Sequence, residues 1–374
     1  MSNDKILFIT AYVPHKAAAG EKNTMIMLND LAKYFEVHLV YYKYDYEMEY
    51  TPTNENVKTI NILKNSKWIK LKNFLNYPFV HPVFSIRFSW KQLRQIKKLC
   101  VENEYKAIVF NHSNMFLYAK FLKLDIPKIL LCHDVIVQRV NRSSISLIRK
   151  WCKTSEKYCL TMPNANIFSF SQKDCDLIKS EYGLLARLNL DYIDTDIIDK
   201  KPTRVENYYV MFGDWTRTEN LDGAMWFIKE VCPFINNNIV LKIIGRGFQN
   251  ILVDNDKIKI EIMGFVDDPY QIISNSRAMI VPLFRGAGIK VKVIEALACG
   301  TPVIGTDIAF EGLPLKYSKM MLLANNKESF VENLNINIDL EERIRVKNEF
   351  LIDYTSETIP QFLLKIADNN NGKY

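Results

Sequence analysis

The residues best suited to chemistry lie in one stretch, Val281–Gly312, which reads VPLFRGAGIKVKVIEALACGTPVIGTDIAFEG. Its pattern predicts a strand, a glycine-bearing loop, a helix, a tight turn and a second strand. Gly286 and Gly288 permit close backbone approach and unusual dihedrals. A helix beginning near Ile289 would offer unbonded N–H groups and the positive end of its dipole, an arrangement that holds phosphate. Lys290 and Lys292 add positive charge beside it, and Arg285 can add a forked donor. Glu295 stands among Ile294, Ala296, Leu297 and Ala298, so it reads less as a helix-surface residue than as an acceptor for a vicinal diol such as ribose. Together these groups would suit a nucleoside diphosphate.

Other candidates are more dispersed. His133 and Asp134 follow the strand-like run Lys128–Cys132, and a histidine just past a strand end is seldom a core residue. His112 follows the preceding strand in surroundings that read as an ordinary turn. Arg217 lies in the loop after Phe212, where a phosphate role and a plain surface role compete. Gly20 closes the loop Ala11–Gly20 that leads from the first strand into a helix.

These positions make sense only on alternating elements. Strands are predicted at Lys5–Thr10, Val37–Tyr41, Ala107–Phe110, Lys128–Cys132 and Asn166–Phe170, and a helix from about Asn23 to Tyr34. The pattern restarts after Asp196 with Tyr208–Phe212, Ile239–Ile244, Ile258–Met263, Ala278–Val281 and Pro302–Gly305. Strands alternating with helices imply parallel, doubly wound sheets. The expectation is α/β, with two Rossmann-like domains facing across a cleft and Asn189–Arg204 as linker. The N-terminal domain covers 1–190 and the C-terminal one 205–350. A terminal helix over 351–374 is able to pack back on the first. In such sheets ligands gather at the carboxyl ends of the strands.

The 374 residues suffice for two cores, and 48% apolar with 24% charged content is that of an ordinary globular chain. No run reaches the ~18 apolar residues of a membrane span. MSNDKILFIT lacks the basic start and long apolar run of a secretory signal, so a cytoplasmic location is expected. The seven cysteines are scattered without metal-ligand spacing, and no disulfide, metal or cofactor is expected. Residues 1–188 carry 28 Lys and Arg against 16 Asp and Glu, so the net charge of +7 is concentrated there. No acidic residue falls between Glu55 and Glu102, a stretch that also holds Trp68, Phe74, Tyr77, Phe79, Phe84, Phe88 and Trp90. Basic residues among aromatics over 56–101 suit an anionic membrane surface or a phosphate-bearing acceptor. A solvated face with its aromatics in the core is the competing reading. Nucleic acid is not expected, because no binding motif accompanies the charge.

The segment GAGIKVKVIEALACGTPVIGT with Glu311 and Gly312 resembles retaining glycosyltransferases of family four (glycosyl transferases group 1), which have the two-domain GT-B fold. FGDWTRTEN at Phe212–Asn220, IIGRG at Ile243–Gly247 and GFVDD at Gly264–Asp268 match in order and spacing. The resemblance implies that Glu295 is the ribose-binding second glutamate of a Glu-x7-Glu motif, whose first glutamate is replaced by Ala287. It places Gly264, Phe265 and Val266 against the base. Gly20, Gly213, Arg285, Gly286, Ala287, Gly288 and Ile289 fall near the rest of the donor. His133 falls against the transferring sugar, and Arg217 with Lys290 or Lys292 on the diphosphate. The implied activity moves a sugar from a UDP- or GDP-linked donor to a glycan or lipid-linked acceptor, with retention, in surface polysaccharide biosynthesis. The alternatives are a sugar-nucleotide epimerase on the same fold and a non-catalytic glycosyltransferase-like partner.

Overall fold

The computed structural model describes residues 4–15, 19–141, 146–189, 193, 195–249, 256–286, 288–355 and 359–371. It divides the chain into two compact units, Met1–Asp191 with Glu357–Tyr374, and Tyr192–Ser356. The last helix, Ile359–Asn371, belongs to the first unit and contacts the Ala19–Ala32 helix there.

In the first unit the strands are β1 (Lys5–Thr10), β2 (Glu36–Tyr44), β3 (Val57–Asn65), β4 (Tyr105–Asn111), β5 (Lys128–Cys132), β6 (Ala165–Ser169) and β7 (Ala186–Leu188). They form one parallel sheet in the order β3-β2-β1-β4-β5-β6-β7. Helices cover both faces of such a sheet, so its central strands are apolar runs rather than alternating ones. KILFIT and KILLC are accordingly buried almost throughout. The strand order reverses between β1 and β4, which leaves a crevice at their carboxyl ends.

The second unit repeats the plan with β8 (Tyr208–Phe212), β9 (Ile239–Ile244), β10 (Ile258–Gly264), β11 (Ala278–Val281), β12 (Val303–Gly305) and β13 (Met321–Leu323). The order is β10-β9-β8-β11-β12-β13, again parallel, with the reversal between β8 and β11.

Several expectations need adjusting. The first helix begins at Ala19, ahead of the expected Asn23. The phosphate-suited helix is Val291–Ala298, two residues later than expected, because Lys290 is its extended N-cap. The linker stretch holds a short helix, Thr195–Ile198. Phe84 and Phe88 of the basic, aromatic stretch are core residues, whereas Trp68 is 81% exposed and Phe79 78%. That stretch is therefore part core and part surface. Among the described residues no helix is long and apolar enough to cross a membrane.

Candidate functional site

The second unit gathers its polar groups at the β8/β11 reversal. β8, β9 and β10 each run out into a glycine: Gly213, Gly245 and Gly264. The Gly213 N–H donates to the Ile244 carbonyl at 3.1 Å, and the Gly245 N–H to that of Gly264 at 2.7 Å. Trp215 donates through its backbone to Arg246 at 2.9 Å and through its indole to Ile244 at 3.1 Å. A Cβ on Gly245, whose φ is +124°, would fall 1.7 Å from the Gly213 carbonyl oxygen. Only glycine allows the two strand-end loops to lie this close.

Lys292 crosses to that loop from the first turn of the Val291–Ala298 helix. Its ammonium donates to Asn220 Oδ1 at 2.8 Å and would touch a Cβ on Gly213 at the same distance. Burial, reinforced by the Arg217 charge, brings its pKa down to about 8, against some upward pull from Glu295 and Glu219. The ammonium thus sits in a place that lacks enough negative charge. First-turn amides of a helix have no intrahelical acceptor and add partial positive charge there.

Glu295 lies one turn further along, 5% exposed, with its Oε1 accepting from the Tyr270 hydroxyl at 2.9 Å. It is therefore no helix-surface residue. Lys290 donates to the Gly288 carbonyl and stands 3.6 Å from Glu311 Oε2. Gly286 and Gly288 have φ of +136° and +71°, which favours glycine at both. Ile289 is partly exposed beside them, and Ala287 lies outside the described residues. Arg217 is the N-cap of the Thr218–Trp226 helix, exposed and 3.6 Å from Glu219.

Arg285 is diverted instead: it is exposed and ion-paired with Asp222. Gly264 has φ +63°, Phe265 is exposed with the Arg246 guanidinium over its ring at 5.0 Å, and Val266 is partly buried. Asn220 and Tyr270 are contributors that a reading of residue types passes over. Both are neutral, and only their placement opposite Lys292 and Glu295 reveals them.

The first unit has its own cluster at the β1/β4 reversal. His133 Nε2 donates to Asn111 Oδ1 at 2.7 Å, while the Asn111 amide donates to Thr24 at 2.8 Å and Thr10 at 3.1 Å. The His133 ring stacks on His112 at 3.9 Å and tilts on Phe170 at 4.6 Å. Burial brings the His133 pKa down to about 3, so the ring is neutral. Gly20 lies in the first turn of the Ala19–Ala32 helix. Behind His133, buried Glu156 accepts the backbone N–H of Ile136 at 2.8 Å and of Val137 at 2.9 Å. Among the described residues no three of His, Cys, Asp or Glu stand close enough to hold a metal ion.

Against known proteins, residues 206–336 match the family described as "Glycosyl transferases group 1". The matched stretch spans most of the second unit and contains every donor-side candidate there. A relative from Klebsiella pneumoniae, an "Uncharacterized 44.6 kDa protein in cps region", is 26% identical over 144 residues, 35% of this chain and 37% of the relative. The match thus spans little more than a third of that relative's length. Sucrose-phosphate synthase from Thermosynechococcus elongatus superposes with a TM-score of 0.64 at 15% identity, covering 99% of each chain. Anabaena HepE in complex with UDP and glucose gives 0.60 at 12% identity, covering 99% of this chain and all of that one. At such identities the likeness is one of fold. The fold of the chain is thus that of GT-B glycosyltransferases.

Proposed function

We propose that the protein is a retaining glycosyltransferase taking its sugar from a nucleoside diphosphate donor, UDP-linked in preference to GDP-linked. The observation that carries this reading is Lys292, held 2.8 Å from Asn220 at the strand reversal with Arg217 nearby. A diphosphate supplies the negative charge that this place lacks. HepE was solved with UDP, which favours uridine.

In this reading Glu295 holds the ribose and the Gly264–Val266 backbone meets the base. The glycosidic bond from C1 to the diphosphate oxygen breaks, and charge builds on the leaving group. Lys292, Lys290, Arg217 and the helix amides stabilise that charge. The acceptor hydroxyl bonds to C1 on the same face, through an oxocarbenium-like transition state, and its proton passes to the departing phosphate. Neutral His133 can hydrogen-bond a sugar hydroxyl without adding charge.

The acceptor is read as a lipid-linked glycan destined for a surface polysaccharide, consistent with the cps-region relative. Trp68, Leu71 and Leu75 are exposed at helical spacing on Lys67–Asn76, with Phe79 exposed just beyond. Interleaved with Lys67, Lys70 and Lys72, they support peripheral attachment to an anionic cytoplasmic membrane face.

The test is a thermal-stability screen of UDP, GDP and their sugars. A true donor nucleotide at a hundredfold excess over its dissociation constant adds about 2.7 kcal/mol of stability. If no nucleotide shifts the transition, or if the Lys292→Met variant responds like the wild type, the donor-site reading is wrong.

A further inference from the structure

Arg87 is a guanidinium in the interior of the first unit. It is 4% exposed, its Nε is buried without a hydrogen-bond partner, and among the described residues it forms no ion pair with a carboxylate. Its contact is with the Tyr12 ring, 4.7 Å below the guanidinium carbon. Tyr12 in turn meets His112 edge-on at 5.0 Å. The Arg87 charge reaches His112, where, after burial and His133, it helps to hold the imidazole well below its ordinary pKa.

His112 is unusual in its own right. Its φ of 72° with ψ of 146° is a backbone conformation close to one that is essentially glycine-only. Its Nε2 is buried with no hydrogen-bond partner among the described residues. Two neighbouring nitrogens, Arg87 Nε and His112 Nε2, are thus buried without partners, and His112 sits on a strained backbone. A cation–π contact recovers about 0.5–2 kcal/mol. A buried donor left without a partner costs about 1–3 kcal/mol. Placed at the carboxyl ends of β1 and β4, where an open α/β sheet binds ligands, the pair lacks an anion.

We infer that Arg87, His112 and Tyr12 form an oxyanion subsite in the first unit, which takes a carboxylate or phosphate carried by the sugar acceptor. Arg87 grips the anion through its fork. His112 Nε2–H is an additional donor, and Tyr12 forms the wall on which the guanidinium rests. The anion site stands on this geometry alone, whereas its assignment to the acceptor rests on the transferase reading. An acidic hexuronate and a phosphorylated sugar share this chemistry.

The chain has five histidines, so their side-chain NMR signals form a small, assignable set. Inorganic phosphate and glucuronate are titrated separately into the full chain at constant ionic strength. The expected result is a saturable shift of the His112 and His133 imidazole signals with at least one of them. Phosphate alone assigns a phosphorylated acceptor, glucuronate alone a uronic acid, and both an oxyanion of either kind. Arg87→Gln is expected to abolish the shift while UDP stabilises that variant as it does the wild type. Arg87→Lys keeps the charge but loses the fork, and is expected to weaken saturation about tenfold without disturbing the fold. Absence of saturation by either anion, or saturation unchanged in Arg87→Lys and Arg87→Gln, overturns the subsite. Loss of UDP stabilisation in the wild type, with anion saturation intact, would instead count against the transferase reading alone.

Discussion

Lys292 and Asn220 are joined by a 2.8 Å hydrogen bond that ties the Val291–Ala298 helix to the first turn of the Thr218–Trp226 helix. The lysine is thereby aimed at the crevice and surrounded by groups that leave it short of negative charge. Replacing it with methionine keeps much of the volume and removes the charge. A hydrogen bond to a charged group contributes about 1.5–3 kcal/mol, so UDP affinity should fall roughly 10- to 100-fold. Titration calorimetry measures this directly.

The same lysine sets a pH dependence. Its pKa is about 8 in the folded chain against an ordinary 10.5. Between these values the unfolded chain binds more protons, so the empty protein gains stability as pH rises through that window. A bound diphosphate favours the charged form. UDP affinity should therefore weaken as pH climbs above about 8, and Lys292→Met should flatten the profile. A wild-type profile that stays level well past that pH would contradict this account.

Glu295 offers a sharper test of orientation. Its carboxylate accepts from the Tyr270 hydroxyl at 2.9 Å. Wild-type protein should prefer UDP over 2′,3′-dideoxy-UDP by about tenfold or more, since each lost charged hydrogen bond costs about 1.5–3 kcal/mol. Glu295→Ala should bind both nucleotides alike, and Tyr270→Phe should reduce the preference without abolishing it. Equal discrimination in Glu295→Ala would move the ribose elsewhere.

Much of this is legible in the sequence because it is local. Buried parallel strands are short apolar runs, and KILFIT, KILLC, YYVMF and IVLKII announce themselves. The glycine loop and its helix are contiguous, so Lys292 and Glu295 can be placed by counting turns. β3, by contrast, reads VKTINILKN: it pairs only with β2, and its polar residues mask the strand pattern. β7 and β13, three residues each, are too short to carry a period. The hardest features join distant positions. Asn111 to His133 and Arg87 to Tyr12 are set by sheet order, and Arg87 in sequence is one more cation in a basic run.

The exposed stripe on Lys67–Asn76 predicts salt-dependent adsorption. Each basic residue near an anionic bilayer contributes about 1 kcal/mol. Reversing Lys64, Lys67, Lys70 and Lys72 to glutamate should abolish sedimentation with phosphatidylserine vesicles. Trp68→Ser should weaken it at any ionic strength, because its contribution is apolar. Adsorption that survives both changes would exclude this surface as the attachment site.

Glu156 supports the loop that carries His133. It is 1% exposed, and its carboxylate accepts the Ile136 and Val137 amides and the Tyr182 hydroxyl, the last at 2.7 Å. Burial lifts its pKa from 4.5 to about 7 despite those bonds. Here the folded chain holds the proton more tightly, so stability falls as pH rises from about 4.5 to 7 and levels beyond. Within that window stability changes by about 1.36 kcal/mol for each step of one in pH, a slope that urea denaturation can measure. Glu156→Gln should remove this slope. The glutamine can still accept at one oxygen but must point its amide at a backbone N–H, so the Ile136–Asn141 helix start should loosen. Amide exchange at Ile136 and Val137 should then quicken while exchange in β8 and β9 stays unchanged. A variant that keeps both the slope and the protection would show that the carboxylate neither titrates in this window nor anchors the histidine loop.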